Sequence, residues 1–151
     1  MRIRLATAAD LDAMIELIGM LFTLEPDNVF EPAKARRGRQ MLLGHPDNAA
    51  VWVADQDGTV VGMCSAQIVI STAEGGPSAW IEDLIAAPAL RGQGIGRQLL
   101  DAVAAWAARR GLTRLQLLAD QHNQAALDFY RHMDWQGTRL ICLRHYPGVT
   151  S

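Results

Sequence analysis

The sequence is as informative for what it omits as for what it contains. It has only two cysteines, Cys64 and Cys142, too few and too far apart for a metal-ligand spacing. Cys64 lies in an apolar stretch and reads as a small core residue. Such sparing use suits a reducing, cytoplasmic setting rather than a disulfide-built secreted one. No apolar run approaches the ~18 residues of a membrane span. The opening MRIRLATAADLD lacks the apolar core of a signal peptide. No block of basic residues occurs and the net charge is −2, so a nucleic-acid surface is not expected. Repeats, low-complexity tracts and linkers are absent too. What is present is a half-apolar chain of 151 residues, enough to build the core of one domain spanning 1–151.

Local patterns divide the chain into alternating elements. RIRLA (Arg2 to Ala6) reads as a short strand. Thr7 and Asp10 form a T-x-x-D capping pattern, and Leu11, Met14, Ile15, Ile18, Leu21 and Phe22 recur at helical spacing, predicting a helix from Ala8 to Phe22. After an acidic, proline-marked loop, a second helix is expected over Pro32 to Leu43. Arg36, Arg37 and Arg39 are placed on its wet side, and Gly44 ends it. AVWVAD, VVGMCSAQIVIS and AWIEDLIAA read as three strands joined by tight turns, the first marked by Asp57-Gly58. They imply an antiparallel meander. A helix then runs to about Arg110, stopped by Gly111. A strand (TRLQLLA), a helix (NQAALDFYRHM) and a last strand (GTRLICLRHY) follow. The strand–helix–strand order implies a crossover and local parallel pairing.

One stretch resists a purely structural reading. RGQGIGRQLL, Arg91 to Leu100, places Gly92, Gly94 and Gly96 where a helix begins. A helix start has unpaired amides and a partial positive charge, and glycines let an anion approach them closely. Arg91 and Arg97 add positive charge at the edges. The P-loop is excluded because Gly96 is followed by Arg97-Gln98, and the dinucleotide fingerprint because the pattern is G-x-G-x-G. The pattern that fits is [RQ]-x-x-G-x-[GA]. Taken alone, it leaves a ligand-free glycine turn as open as a phosphate site.

With its surroundings, this stretch resembles the GNAT superfamily of acetyl-CoA-dependent N-acetyltransferases. WIEDLIAAPALRGQGIGRQLL is similar to that family's strand, proline, pyrophosphate loop and helix. NQAALDFYRHMDW is similar to its second signature, with Asn123, Ala126, Phe129 and Tyr130 matching. Asp134 and Trp135 depart from the family's Gly-Phe, which calls the turn's conformation into question. The resemblance implies an α/β (α+β) GNAT fold, with a mixed, mostly antiparallel sheet of six to seven strands and helices on both faces. It implies acetyl transfer from acetyl-CoA to a primary amine of a small molecule or peptide, in a ternary complex and without a metal. Alternatives are a non-catalytic acyl-CoA sensor and a protein N-terminal or lysine acetyltransferase. The IEDLIAAPALRGQGIG stretch is nearest to small amine and polyamine acetyltransferases. Leu118 stands where some N-terminal acetyltransferases carry a glutamate.

Residue roles follow from the same resemblance. The amides of Arg91, Gly92, Gln93, Gly94, Ile95, Gly96 and Arg97 would hold the CoA pyrophosphate. The backbone of Leu84, Ile85 and Ala86 would bond the pantetheine arm, one amide facing the acetyl carbonyl; their side chains read as core. Asn123 would contact CoA, or merely start a helix. Tyr130 would return a proton to the leaving thiolate, or serve as an aromatic core residue. Glu82 is the candidate base, its alternative a solvated strand charge or an arginine's partner. Strand alternation puts Glu82 and Asp83 on opposite faces, so only one should enter a given cleft. Loop acids Glu25, Asp27 and Glu31 would attract a cation, or simply aid solubility. His122, His132 and His145 read as surface residues. The final RHYPG strand is the candidate for pairing into a homodimer.

Overall fold

A computed structural model describes residues 1–148. They group into two compact units, Met1–Leu117 and the residues from Leu118 onward. The first unit contains a five-stranded sheet in the order β1-β2-β3-β4-β5: Arg2–Leu5, Ala49–Gln56, Thr59–Ser71, Gly76–Ala86 and Leu115–Leu117. β1 to β4 pair antiparallel, as the turn signals require. β5 returns parallel to β4 after the crossover through helix α3 (Ile95–Arg109). Asp57 and Gly58 both take positive φ, +52° and +87°, in the two-residue hairpin between β2 and β3.

Helices cover both faces of the sheet. On one face α1 (Leu11–Leu24) lays Met14, Ile15, Leu17 and Ile18 against Val51, Val53, Met63 and Ile85. The opposite strand positions face α3. Trp52 meets Trp106 edge-on at 5.4 Å, and Leu99, Val103 and Ala107 are buried with them. Gly62 has no room for a side chain, since a Cβ there would lie 2.7 Å from Ile95 Cγ2 and 3.1 Å from the Ile85 carbonyl oxygen. The start of α3 therefore rests directly on β3.

Element ends follow local chemistry. The helix expected from Ala8 begins with a 3-10 turn, Ala8–Asp10, and becomes α-helical at Leu11. The Asp10 carboxylate accepts the Thr7 amide at 2.7 Å, so aspartate closes the capping box in place of glutamate. It also accepts two hydrogen bonds from the Arg4 guanidinium (2.8 and 2.9 Å), which hold its pKa below the usual carboxylate value. α2 occupies Pro32–Leu43, as its proline and Gly44 predict.

In the second unit, α4 spans Gln124–His132. Asn123 caps it, its side-chain oxygen accepting the Ala126 amide at 3.1 Å. Phe129, Tyr130 and Trp135 form tilted ring contacts at 5.3 and 5.9 Å. Asp134 adopts φ +64°, the left-handed conformation that glycine takes freely, so aspartate at this place still closes the turn.

Two expectations are corrected here. GTRLICLRHY forms no strand: among the described residues the sheet has five strands, not six to seven. The segment has the alternation of a strand but no ladder partner, and Leu140, Ile141 and Leu143 are more than four-fifths exposed. Arg39 does not lie on the wet side of α2. It is 2 % exposed, on the same helical face as the partly buried Ala35 and Leu42.

Candidate active site

The local geometry of β4 makes the site. Ser65 pairs with Glu82 and Met63 with Ile85, so Asp83 and Leu84 together face the single residue Cys64. This is a β-bulge, and Asp83 adopts φ +56° within it. Aspartate tolerates that conformation better than most residues. The bulge breaks strand alternation: Glu82 and Asp83 both line the same cavity, against the expectation that only one would.

That cavity, of about 660 Å³, opens between α1, α2 and the middle of β3 and β4. Ile18, Phe22, Ala35, Leu42 and Ile68 give it apolar walls. Asp83 is ion-paired with the buried Arg39. Arg39 donates to Asp83 through Nη2, while its Nη1 is buried with no hydrogen-bond partner among the described residues, so Asp83 is what neutralises this guanidinium. Glu82 is exposed, and its Oε1 accepts the Trp80 indole N–H at 2.9 Å.

The ladder between β4 and β5 covers only Ala79–Leu115, Trp80–Gln116 and Ile81–Leu117. Past Ile81, the second edge of β4 has no strand partner among the described residues. Leu84, Ile85 and Ala86 lie on this open edge. Ile85 is buried in the α1 core, so here the available groups are backbone ones.

β4 leads through Pro88–Leu90, a 3-10 turn, into the glycine loop. Gly92 and Gly94 adopt φ +79° and +83°, and Gly94 is the N-cap of α3. A Cβ at Gly92 would meet nothing within 4 Å, so that glycine answers to conformation and not to packing. Among the described residues, no amide from Gly92 to Arg97 donates to a backbone carbonyl; the first such bond is Gln98 to Gly94, 3.0 Å. Arg91, Gln93 and Arg97 are exposed, whereas the Ile95 side chain is buried, leaving only its amide to serve a ligand. The result is a row of unpaired donors on a helix dipole, suited to a diphosphate.

The profile of the Acetyltransferase (GNAT) family matches residues 11–135. The chain belongs to this family. Its relatives include an uncharacterised N-acetyltransferase of Methanocaldococcus jannaschii, 26 % identical over 140 residues, covering 92 % of this chain and 62 % of that protein. The chain thus spans under two thirds of that relative's length. An aminoglycoside N(6')-acetyltransferase type 1 of Salmonella typhimurium is 22 % identical over 120 residues, covering 68 % of this chain and 83 % of that one. Among solved structures, a transcriptional regulator from Bacillus halodurans C-125 superposes with a TM-score of 0.85 at 27 % identity, covering 96 % of this chain and 99 % of that one.

Asn123 does cap its helix, which occupies its side-chain oxygen. Tyr130 is half-buried in the aromatic group of the second unit. Cys64 is core, and burial pushes its thiol up to about 12, which rules it out as a thiolate nucleophile near neutral pH. Among the described residues no group of three or more His, Cys, Asp or Glu could hold a metal, and no helix is long and apolar enough to cross a membrane. Glu31 pairs with Lys34 at 2.7 Å. Sequence reasoning missed Arg39 and the bulge at Asp83. The signal for Arg39 was its i+4 spacing from Ala35 and i−3 spacing from Leu42.

Proposed function

We propose that this chain transfers an acetyl group from acetyl-CoA to a primary amine by direct attack in a ternary complex. The observation that carries the reading is the run of unpaired amides from Gly92 to Arg97, following the open edge of β4. The loop amides bind the CoA pyrophosphate, with Arg91 and Arg97 beside them. Backbone groups of Leu84, Ile85 and Ala86 bond the pantetheine arm, and one amide stabilises the oxyanion that forms on the acetyl carbonyl.

In the reaction, the amine nitrogen attacks the thioester carbon, the C–S bond breaks, and the nitrogen sheds its second proton as the amide forms, which makes good the proton given to the thiolate. An amine of pKa near 10 needs about 4 kcal/mol to lose its proton at pH 7. Glu82, lining the cavity, takes that proton directly or through water. The CoA thiolate receives a proton from Tyr130, acting as a general acid. Support for Tyr130 is its place in the second signature. The acceptor is a small-molecule or peptide amine; the aminoglycoside acetyltransferase relative is in keeping with a small-molecule one.

The test is thiol release from acetyl-CoA over an amine panel, with product mass as the second readout. Amine-dependent release with a 42 Da gain on the amine is expected from acetyl replacing hydrogen. Acetyl-CoA binding without release from any amine would instead make this an acyl-CoA sensor.

A further inference from the structure

We infer that the cavity beside Glu82 selects an amine with one positive charge and an apolar body, and discriminates against polycations; the inference rests on the acetyl-transfer reading and names its acceptor class. The ionisable lining includes three carboxylates, Glu31, Glu82 and Asp83, two cations, Lys34 and Arg39, and His45, whose Nδ1 lies 2.6 Å from the Met41 carbonyl oxygen. Four of these are already committed. Glu31 pairs with Lys34, and Asp83 pairs with Arg39. Of the three lining carboxylates, only Glu82 has no ion-pair partner among the described residues.

Asp83 is not available as a second anchor. Arg39 is buried and, among the described residues, its Nη1 has no partner and Asp83 is the only carboxylate paired with this charge. A ligand ammonium drawn to Asp83 would sit beside a buried guanidinium and be repelled by it. A second or third ammonium would therefore lose water against Ile18, Phe22, Leu42 and Ile68 with no counter-charge, which is costly. An amino sugar would also need partners for its hydroxyls, and among the described residues the lining offers only Asn48, Gln67 and His45 besides its charged groups. An apolar body such as a phenyl ring or a short alkyl chain matches these walls. The volume, about 660 Å³, falls within the usual range for small-molecule pockets.

The test is calorimetric binding to the full chain saturated with CoA, which carries no acetyl group and so allows no turnover. The probes are 2-phenylethylamine, hexylamine, spermidine and neamine at one ionic strength. The two monoamines should bind at least tenfold more tightly than the two polycations. Gly38→Glu adds an uncompensated carboxylate to the lining, at a position where a Cβ meets nothing within 4 Å. It should improve spermidine relative to 2-phenylethylamine about tenfold, and Gln67→Glu should shift the ratio in the same direction. Tighter binding of spermidine or neamine by the unaltered chain, no binding of any amine, or an unchanged ratio in both variants would overturn the inference. Monoamine binding without thiol release on adding acetyl-CoA would sink the transfer reading alone and leave the selectivity standing.

Discussion

Asp83→Asn should destabilise this protein far more than a half-exposed carboxylate normally could. Asparagine keeps the side-chain shape and tolerates the +56° backbone angle, so the bulge itself is not the perturbation. What changes is the charge facing Arg39. That guanidinium is 2 % exposed, its Nη1 has no partner, and Asp83 is its ion-pair partner. Removing one member of a buried pair costs about 3–5 kcal/mol, because the remaining charge stays buried. Asp83 is 23 % exposed, so water partly relieves the loss and about 3 kcal/mol is the fitting figure. At 2–4 °C per kcal/mol for a chain of this size, the melting temperature should fall by roughly 6–12 °C. The assay is urea unfolding with matched thermal scans; the midpoint should move at constant m-value. Arg39→Met/Asp83→Asn should recover part of the loss, since it leaves no charge to compensate. A loss below about 1 kcal/mol for the single variant, or a double variant less stable than the single, would refute the reasoning.

Five other substitutions probe the proposed chemistry and the first unit's stability. Tyr130→Phe should lower kcat by roughly 10²–10⁴ while leaving acetyl-CoA affinity unchanged, and Glu82→Gln should lower kcat by a comparable factor; equal turnover in either variant would remove that residue from the mechanism. Gly94→Ala and Gly111→Ala, at φ +83° and +71°, should each cost about 1–2 kcal/mol, but only Gly94→Ala should also weaken acetyl-CoA binding, as measured by calorimetry. Arg4 holds the Asp10 pKa below its usual value, so the unfolded chain binds more protons there; stability from this pair is full above about pH 4 and is lost as pH falls through the lowered value, and urea midpoints of Asp10→Asn should show a weaker decline with acid.

Local chemistry made much of the fold legible. α2 was readable because proline can start a helix and Gly44 can end one, both within a few residues of sequence. The β2–β3 hairpin was readable because Asp-Gly favours the left-handed angles its turn needs. The glycine loop was readable because its glycines and the helix behind it are adjacent in the chain. Arg39 and Asp83 were not readable in that way. They are 44 positions apart: helical spacing puts Arg39 on the Ala35 and Leu42 face but does not name its partner, and the bulge that turns Asp83 into the same cavity leaves no local mark. The segment after α4 shows the converse. Its alternation satisfies the strand pattern, but a strand is defined by its neighbour, and alternation cannot supply one.

The central claim is that bare amides before α3 hold the coenzyme's diphosphate. Amide ¹H–¹⁵N spectra, recorded as CoA is titrated into the labelled full chain, test it most directly. The largest downfield proton shifts are expected at Gly92, Gly94 and Gly96 and their neighbours, as those amides gain an anionic acceptor. Saturable binding of CoA that leaves these three glycine signals in place would contradict it.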